Sequence, residues 1–225
     1  MCKTLLVIVP ARGRRCERLL ESFTATKTLE STEIMVVTDG DDTGTWEGMD
    51  WGAAAHACLD PREHVTGKLN KTATAMAGMY DVVMRAADDC VFSTPGWDEV
   101  MLAALEDMGG SGWVYPDDKR GGVPETWMCS SDVVRELGWF TPPQMQVYYG
   151  GNAVAELGKR TGLIRFRPEA VIEHQPHPGA EDDAAELAAS DLAAYQQWRT
   201  SVLPHQVAQL RRRFNKDVAW LLEKV

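Results

Sequence analysis

The run Leu5-Leu6-Val7-Ile8-Val9 constrains the fold of this chain more than any other feature. Five consecutive apolar residues, without polar alternation, describe a strand covered on both faces, as in a parallel sheet flanked by helices. Ile34–Val37 and Val82–Met84 repeat the pattern. Between them, residues 16–26 place Leu19, Leu20 and Phe23 at helical spacing, and the Ala/Met-rich residues 72–80 form a second helical stretch. Strands alternating with helices predict an α/β domain with a mostly parallel central sheet.

Residues 43–67 lack clear periodicity and read as a long loop region. Pro95-Gly96-Trp97 opens a helix reaching about Met108, and 112–115 is a short strand. The second half predicts helices over 131–137 and 153–160 and strands over 163–166 and 170–173. From Glu181 the composition shifts to Ala, Leu and Gln, predicting two helices broken near Pro204. The expected organisation is a domain over 1–180 and a helical extension over 181–225 packed on it.

The 33 Asp+Glu against 23 Lys+Arg give 225 residues a net charge of −10, which disfavours indiscriminate nucleic-acid binding. Five scattered cysteines without Cys-x-x-Cys predict neither disulfides nor a zinc ribbon, and point to a reducing, cytoplasmic setting. The N-terminal apolar run is too short for a signal peptide and is followed at once by Arg12, Arg14 and Arg15. No stretch approaches the roughly 20 apolar residues of a membrane span.

Ligands of parallel α/β sheets bind beyond the carboxyl ends of the strands. Here those ends carry Pro10-Ala11-Arg12-Gly13-Arg14, Asp39-Gly40-Asp41-Asp42 and Asp88-Asp89. Arginines beside carboxylates suit an anionic, metal-chelated ligand, most simply a nucleoside diphosphate. Each cluster also has a plainer reading: Arg12, Arg14 and Arg15 as a solvated loop, Asp39 as a turn residue. Residues 39–50 imitate a calcium loop, but Asp50 stands at the twelfth position and a buried strand precedes it, so that reading is rejected. No Gly-x-Gly-x-x-Gly, Walker A lysine or Gly-x-Ser-x-Gly motif is present.

Together Leu5–Arg14, Val36–Gly40 and Tyr80–Cys90 resemble nucleotide-sugar glycosyltransferases of the GT-A fold, nearest the small, family-2-like type found in bacteria and phages. The resemblance spans residues 4–178 and implies a GT-A-like Rossmann-type sandwich with a C-terminal helical appendage. It gives Pro10, Arg12, Arg14 and Asp39 to the nucleoside, and Lys68, Asn70 and Lys71 to nucleoside and diphosphate. Asp88-Asp89 corresponds to the Asp-x-Asp signature, with Mn²⁺ or Mg²⁺ as cofactor and UDP-hexose as donor. His174 resembles the late histidine completing the metal site, and His177 is either a second ligand or a loop residue. His56, His64 and His205 lack context and read as surface or structural.

Inverting members place an acid at the start of the helix after the acceptor loop, where this chain has Val147-Tyr148-Tyr149-Gly150-Gly151-Asn152. Three explanations stay open: a base from elsewhere, a retaining reaction, or lost catalysis. Glu125 is the first candidate base, with Asp117 and Asp118 behind it. Trp113, Tyr115, Trp127, Trp139, Phe140, Tyr148 and Tyr149 fall near the expected acceptor groove, although core packing accounts for most such aromatics. Residues 205–225 hold five Lys/Arg, among them Arg211, Arg212, Arg213 and Lys216, against Asp217 and Glu223. That basic amphipathic element packs by one face or touches an anionic acceptor.

Some compact enzymes of this resemblance glucosylate hydroxymethylated DNA bases in phages, which would place the protein in the host cytoplasm. Others modify saccharides, and both acceptors are carried forward. The rival functions are a nucleotidyltransferase and a non-catalytic carbohydrate or nucleic-acid binding module.

Overall fold

A computed structural model describes residues 3–175 and 184–214. The elements run β1 (Leu5–Pro10), α1 (Glu17–Thr26), β2 (Thr32–Asp39), α2 (Thr43–Trp46), β3 (Ala55–Leu59), α3 (Val65–Met76), β4 (Val82–Arg85) and β5 (Cys90–Phe92). They continue with α4 (Trp97–Asp107), β6 (Trp113–Asp117), β7 (Trp127–Ser130), α5 (Ser131–Leu137), α6 (Gly150–Thr161), β8 (Ile164–His174), α7 (Ala184–Ser201) and α8 (Leu203–Phe214).

The strands form one sheet in the order β3-β2-β1-β4-β7-β6-β8-β5. All but β7 and β5 run in one direction, because those two pair antiparallel with their neighbours. β1 sits in the middle with all six residues buried, which is what its uninterrupted apolar run demands. Alternate residues face opposite layers. Leu5, Val7 and Val9 join Phe23 of α1 and Trp97 of α4, whereas Leu6 and Ile8 join Leu69 of α3, Val133 of α5 and Val154 of α6. Trp198, Leu203 and Leu210 of α7 and α8 are buried in that second cluster.

Three sequence expectations need correction. The loop assigned to 43–67 contains α2 and edge strand β3, and α3 starts at Val65, earlier than the stretch 72–80. β3 is mostly solvent-facing and reads Ala-His-Ala-Cys-Leu, without the β-branched run that marks a buried strand. Residues 163–166 and 170–173 belong to one strand, β8, irregular where Pro116 and Asp117 pair across it. Pro168 has no N–H for the ladder, and this breaks the sequence pattern in two. The antiparallel strands β5 and β7, three and four residues long, were not expected at all.

Asp98 on α4 is fully buried and accepts hydrogen bonds from the backbone N–H of Thr28 and Leu29 and from the Thr28 hydroxyl. It fixes the α1–β2 connection to the helix beneath the sheet. Asp98→Ala strands those donors and is expected to cost about 3 kcal/mol in denaturant unfolding.

Candidate active site at the strand ends

The carboxyl ends of β1, β2 and β4 meet in a layered set of ion pairs. Deepest is Asp39, whose side chain is sealed from solvent. Its Oδ2 accepts from Lys68 Nζ at 2.7 Å and Arg12 Nη1 at 2.9 Å, and its Oδ1 accepts from the Glu63 N–H at 3.1 Å. Burial alone would raise the Asp39 carboxyl; Lys68, the Glu63 N–H and Arg12 outweigh it and hold the group below the ordinary carboxylate range. Lys68, itself buried, also donates to the Ala11 carbonyl at 3.0 Å. Arg12 turns its other face to Asp41, with contacts of 2.6 and 3.0 Å. Asp42 accepts from the N–H of Gly13 at 2.6 Å, where φ of +65° suits a residue without Cβ.

Arg14 pairs with Asp88 and lies 3.4 Å from Asp89 Oδ2. Burial raises the Asp88 carboxyl, and Arg14 offsets this only in part. Asp89 goes the other way: burial raises it, but nearby His174 and Arg14 prevail and lower it. The β5–β8 register brings His174 across from Cys90, so that His174 Nε2 stands 3.0 Å from Asp89 Oδ1. The two atoms are close but off the line of a hydrogen bond, and Asp89 Oδ1 is buried without a hydrogen-bond partner among the described residues.

That orphaned oxygen tests the fit of a divalent cation. Two donors at right angles around an octahedral ion, each about 2.1 Å from it, lie about 3 Å apart. Asp89 Oδ1 and His174 Nε2 have that spacing, and carboxylate with imidazole is a donor pair acceptable to Mn²⁺. Among the described residues, no group of three or more His, Cys, Asp or Glu side chains gathers as a metal site. With these two donors, a bound ion would draw its other ligands from outside the protein, as an ion carried with a nucleotide does. His177 lies outside the described residues.

The other sequence candidates occupy varied places. Asn70 faces the loop before α6: its Oδ1 accepts from Phe140 N–H and Thr141 N–H, and its Nδ2 donates to the Thr141 carbonyl. Lys71 is exposed and pairs with Glu63. Pro10 closes β1 against Val37. Glu125 is half-buried, its N–H held by Asp118 Oδ2 at 2.9 Å. Asp118 is buried and also accepts from Arg120 N–H, while Asp117 pairs with Lys119. Trp113 and Trp127 are fully buried and Trp139 and Phe140 nearly so, which makes these four core residues. Tyr149 stacks on Tyr195 of α7, at 5.6 Å between ring centroids.

Gly151 has no room for an acid at the start of α6. A Cβ there would lie 1.9 Å from the Pro124 carbonyl oxygen, so the backbone of the 118–125 loop occupies the space any side chain needs. Of α8, Arg211 donates to the Arg160 carbonyl at 2.5 Å and Arg213 lies 3.8 Å from Glu136. Lys216, Asp217 and Glu223 lie outside the described residues.

Sequence reasoning missed three features. Trp46, Trp51 and His56 form a stacked ladder, with centroids 5.6 and 4.2 Å apart, along a cleft of about 400 Å³ that reaches Asp39. The two tryptophans sit in the segment read as a loop, and their spacing carries no signal. Asp191 of α7 is buried and accepts from the N–H groups of Gln146, Val147 and Tyr148, shaping the loop into α6. Arg85 is buried at the end of β4, and a charge inside Val82-Val83-Met84-Arg85-Ala86-Ala87 was the available signal.

No protein-family model and no curated sequence matches the chain. Solved structures do. Glucosyl-3-phosphoglycerate synthase from Mycobacterium tuberculosis in complex with Mn²⁺, UDP-glucose and phosphoglyceric acid superposes with a TM-score of 0.63 at 16% identity, over 86% of this chain and 80% of that one. The same enzyme with Mg²⁺ and UDP gives 0.59 at 14% identity, over 86% and 80%. S. aureus TarS gives 0.59 at 13% identity, over 88% of this chain and 44% of that one. These likenesses show a GT-A fold, as expected from the sequence.

Asp39 makes the acid stability of this site predictable. Its paired carboxylate stabilises the fold above the ordinary carboxylate range, and that contribution is lost as pH falls through its lowered folded value. Asp39→Asn is expected to cost about 3 kcal/mol at pH 7, because Lys68 is left buried without its counter-charge. Urea titrations at descending pH should show the gap between the two proteins closing below the carboxylate range.

Proposed function

We propose that the chain is a metal-dependent glycosyltransferase moving a hexosyl group from a nucleotide-sugar, UDP-hexose, to a hydroxyl acceptor. The observation that carries this reading is the pair Asp89 Oδ1, an oxygen sealed from solvent without a hydrogen-bond partner, and His174 Nε2, 3.0 Å apart, at the strand ends of a GT-A fold. Structures of the same fold hold UDP-glucose with Mn²⁺, or UDP with Mg²⁺, which supports the donor and cofactor.

Asp89 and His174 hold Mn²⁺ or Mg²⁺ in this reading. The bound ion supplies charge neutralisation for the diphosphate as it leaves the sugar. Asp88 keeps the Arg14 guanidinium beside that pair, where a phosphate oxygen meets a charge-assisted donor. The cleft lined by Asp39, Trp46, Trp51 and His56 takes the nucleoside, with Pro10 and Arg12 beside it at the end of β1. Lys68 keeps Asp39 charged and in place, and Asn70 anchors Phe140 and Thr141 on the acceptor side. Lys71 lies outside this contact set through its pairing with Glu63. Glu125 takes the acceptor proton, since Gly151 leaves no room for a side chain and Asn152 beside it carries no carboxylate.

Between the two acceptors, a saccharide is favoured over a hydroxymethylated DNA base. Arg211 and Arg213 contact the chain itself, so α8 offers DNA less free charge than its sequence suggests. No helix among the described residues is long and apolar enough to cross a membrane. The four described cysteines are free, in keeping with a reaction in the cytoplasm.

Calorimetry with UDP tests the donor site. UDP is expected to bind with Mn²⁺ and to lose about tenfold or more of its affinity when Asp89 becomes Ala or the metal is chelated. Metal-independent binding that is indifferent to Asp89→Ala overturns the assignment. Mass spectrometry of reactions with UDP-hexoses, and of parallel reactions with UTP and a hexose 1-phosphate, then reads the chemistry: UDP and a hexosylated acceptor are expected from the first, whereas pyrophosphate released in the second identifies a nucleotidyltransferase. Binding of a UDP-hexose with neither transfer nor hydrolysis identifies a binding module.

A further inference from the structure

Arg85 ends β4, three residues before Asp88. Strand alternation turns it to the side of Val83, which packs among α3, α5 and α6. It retains 8% of its exposure, and its Nε is sealed from solvent without a partner. No hydrogen bond or ion pair joins its side chain to any described residue. The carboxylates whose fields reach it are Glu125 and Asp89, and neither is within ion-pair distance. Its guanidinium lies 4.8 Å from the centre of the Trp127 ring. A cation–π contact returns less than burying a charge costs. The cation is therefore undercompensated by the chain around it.

Gly150 lies against this group. A Cβ built on it would be 4.0 Å from Arg85 Nη1, 3.7 Å from the Trp127 ring and 2.8 Å from Thr141 Cγ2. Thr141 is 1% exposed, and its hydroxyl is also buried without a partner. Gly150 is also the first residue of the twelve-residue helix α6. The residue before it, Tyr149, has φ of 60° and provides no side-chain cap, and the first turn carries no acid. The opening N–H groups of a helix have no partner within it, and they carry the positive end of its dipole. A buried guanidinium and an uncapped helix start thus meet at the backbone of one glycine, against which the Thr141 methyl packs. Both can donate to an anion.

From this convergence we infer that Arg85 and the first turn of α6 form an anion subsite, and that the acceptor is a hydroxyl compound carrying a carboxylate or phosphate group. The word acceptor rests on the glycosyl-transfer reading above; the subsite does not. A guanidinium fork matches either group with two parallel hydrogen bonds, and the helix start adds backbone donors. The absence of a side chain on Gly150 keeps those donors within reach. Asp89 lies on the adjoining residues after the same strand, so an acid held at Arg85 has its hydroxyls near the sugar-transfer end of the site.

The full chain, titrated by calorimetry with sn-glycerol 3-phosphate, glycerate and glycerol, tests the subsite. These probes share hydroxyls and differ in their charge. At least one anionic probe is expected to bind about tenfold or more tighter than glycerol, and the stronger of the two identifies phosphate or carboxylate. Arg85→Met should abolish that preference, and Arg85→Lys should weaken it by removing the fork while keeping the charge. Mn²⁺–UDP affinity should stay within about twofold in both variants. Equal binding of charged and neutral probes by the unsubstituted chain overturns the inference, and that comparison holds even where Arg85→Met does not fold. An undiminished preference in Arg85→Met also overturns it, as does a matching loss of UDP affinity, which would move Arg85 to the donor. Anion binding without UDP binding removes the transferase reading and keeps the subsite; UDP binding without anion binding does the reverse.

Discussion

The buried contact between Asp39 and Lys68 is the constraint on which the rest of the site depends. A carboxylate and an ammonium, both withdrawn from water, hold each other only with good geometry and with their remaining valences filled. Those valences are filled by Arg12, the Glu63 N–H and the Ala11 carbonyl. The ends of β1 and β2, the segment entering α3 and α3 itself are thereby fixed to one another. Arg12 is aimed by this network, and Asp42 fixes Gly13, so Arg14 emerges from a loop tied down on both sides. The arginine that reaches Asp88 is placed by an ion pair it does not touch.

The second half of the site depends on strand pairing. Asp89 follows a central strand, and His174 ends β8, which lies far from β4 in the sheet order. The short strand β5 joins them: it follows Asp89 directly and pairs with β8 at Cys90 and His174. A slip of one residue in that pairing would turn His174 to the other face. The Gln175 N–H bond to the Asp89 carbonyl, 3.2 Å, and the Arg18–Gln175 contact, 2.6 Å, hold the register at this end.

What was legible in the sequence follows from this division. β1, β2 and β4 are buried on both faces, so their apolar runs declare them, and the charged residues after them mark the ligand-binding edge. β3 is an exposed edge, and β5 and β7 are short and antiparallel; local composition says little about such strands, because partners distant in sequence create them. Lys68 illustrates the limit at side-chain level. The resemblance gives it to the ligand, whereas its ammonium is turned inward to Asp39 and Ala11. A sequence shows that a cation stands in a helix, and only tertiary packing shows which way it points. Asp191 was hidden for the same reason, since a single acid in an Ala-rich helix gives no sign of the three backbone donors it meets.

Gly150 and Gly151 join the two halves of the argument. In the sequence Gly151, with Asn152 after it, stands where a carboxylate is expected. In the structure the two glycines are what allows close approach: the Pro124 carbonyl packs where a Gly151 side chain would stand, and Arg85, Trp127 and Thr141 close around Gly150. An acid at either position would bring negative charge to the dipole end that the helix leaves open and would compete for the Arg85 guanidinium. The same backbone therefore has no room for an acid at Gly151 and leaves the positive charge beside it unmatched. A site that removes its own carboxylate and keeps a buried arginine is built to receive the negative charge from outside.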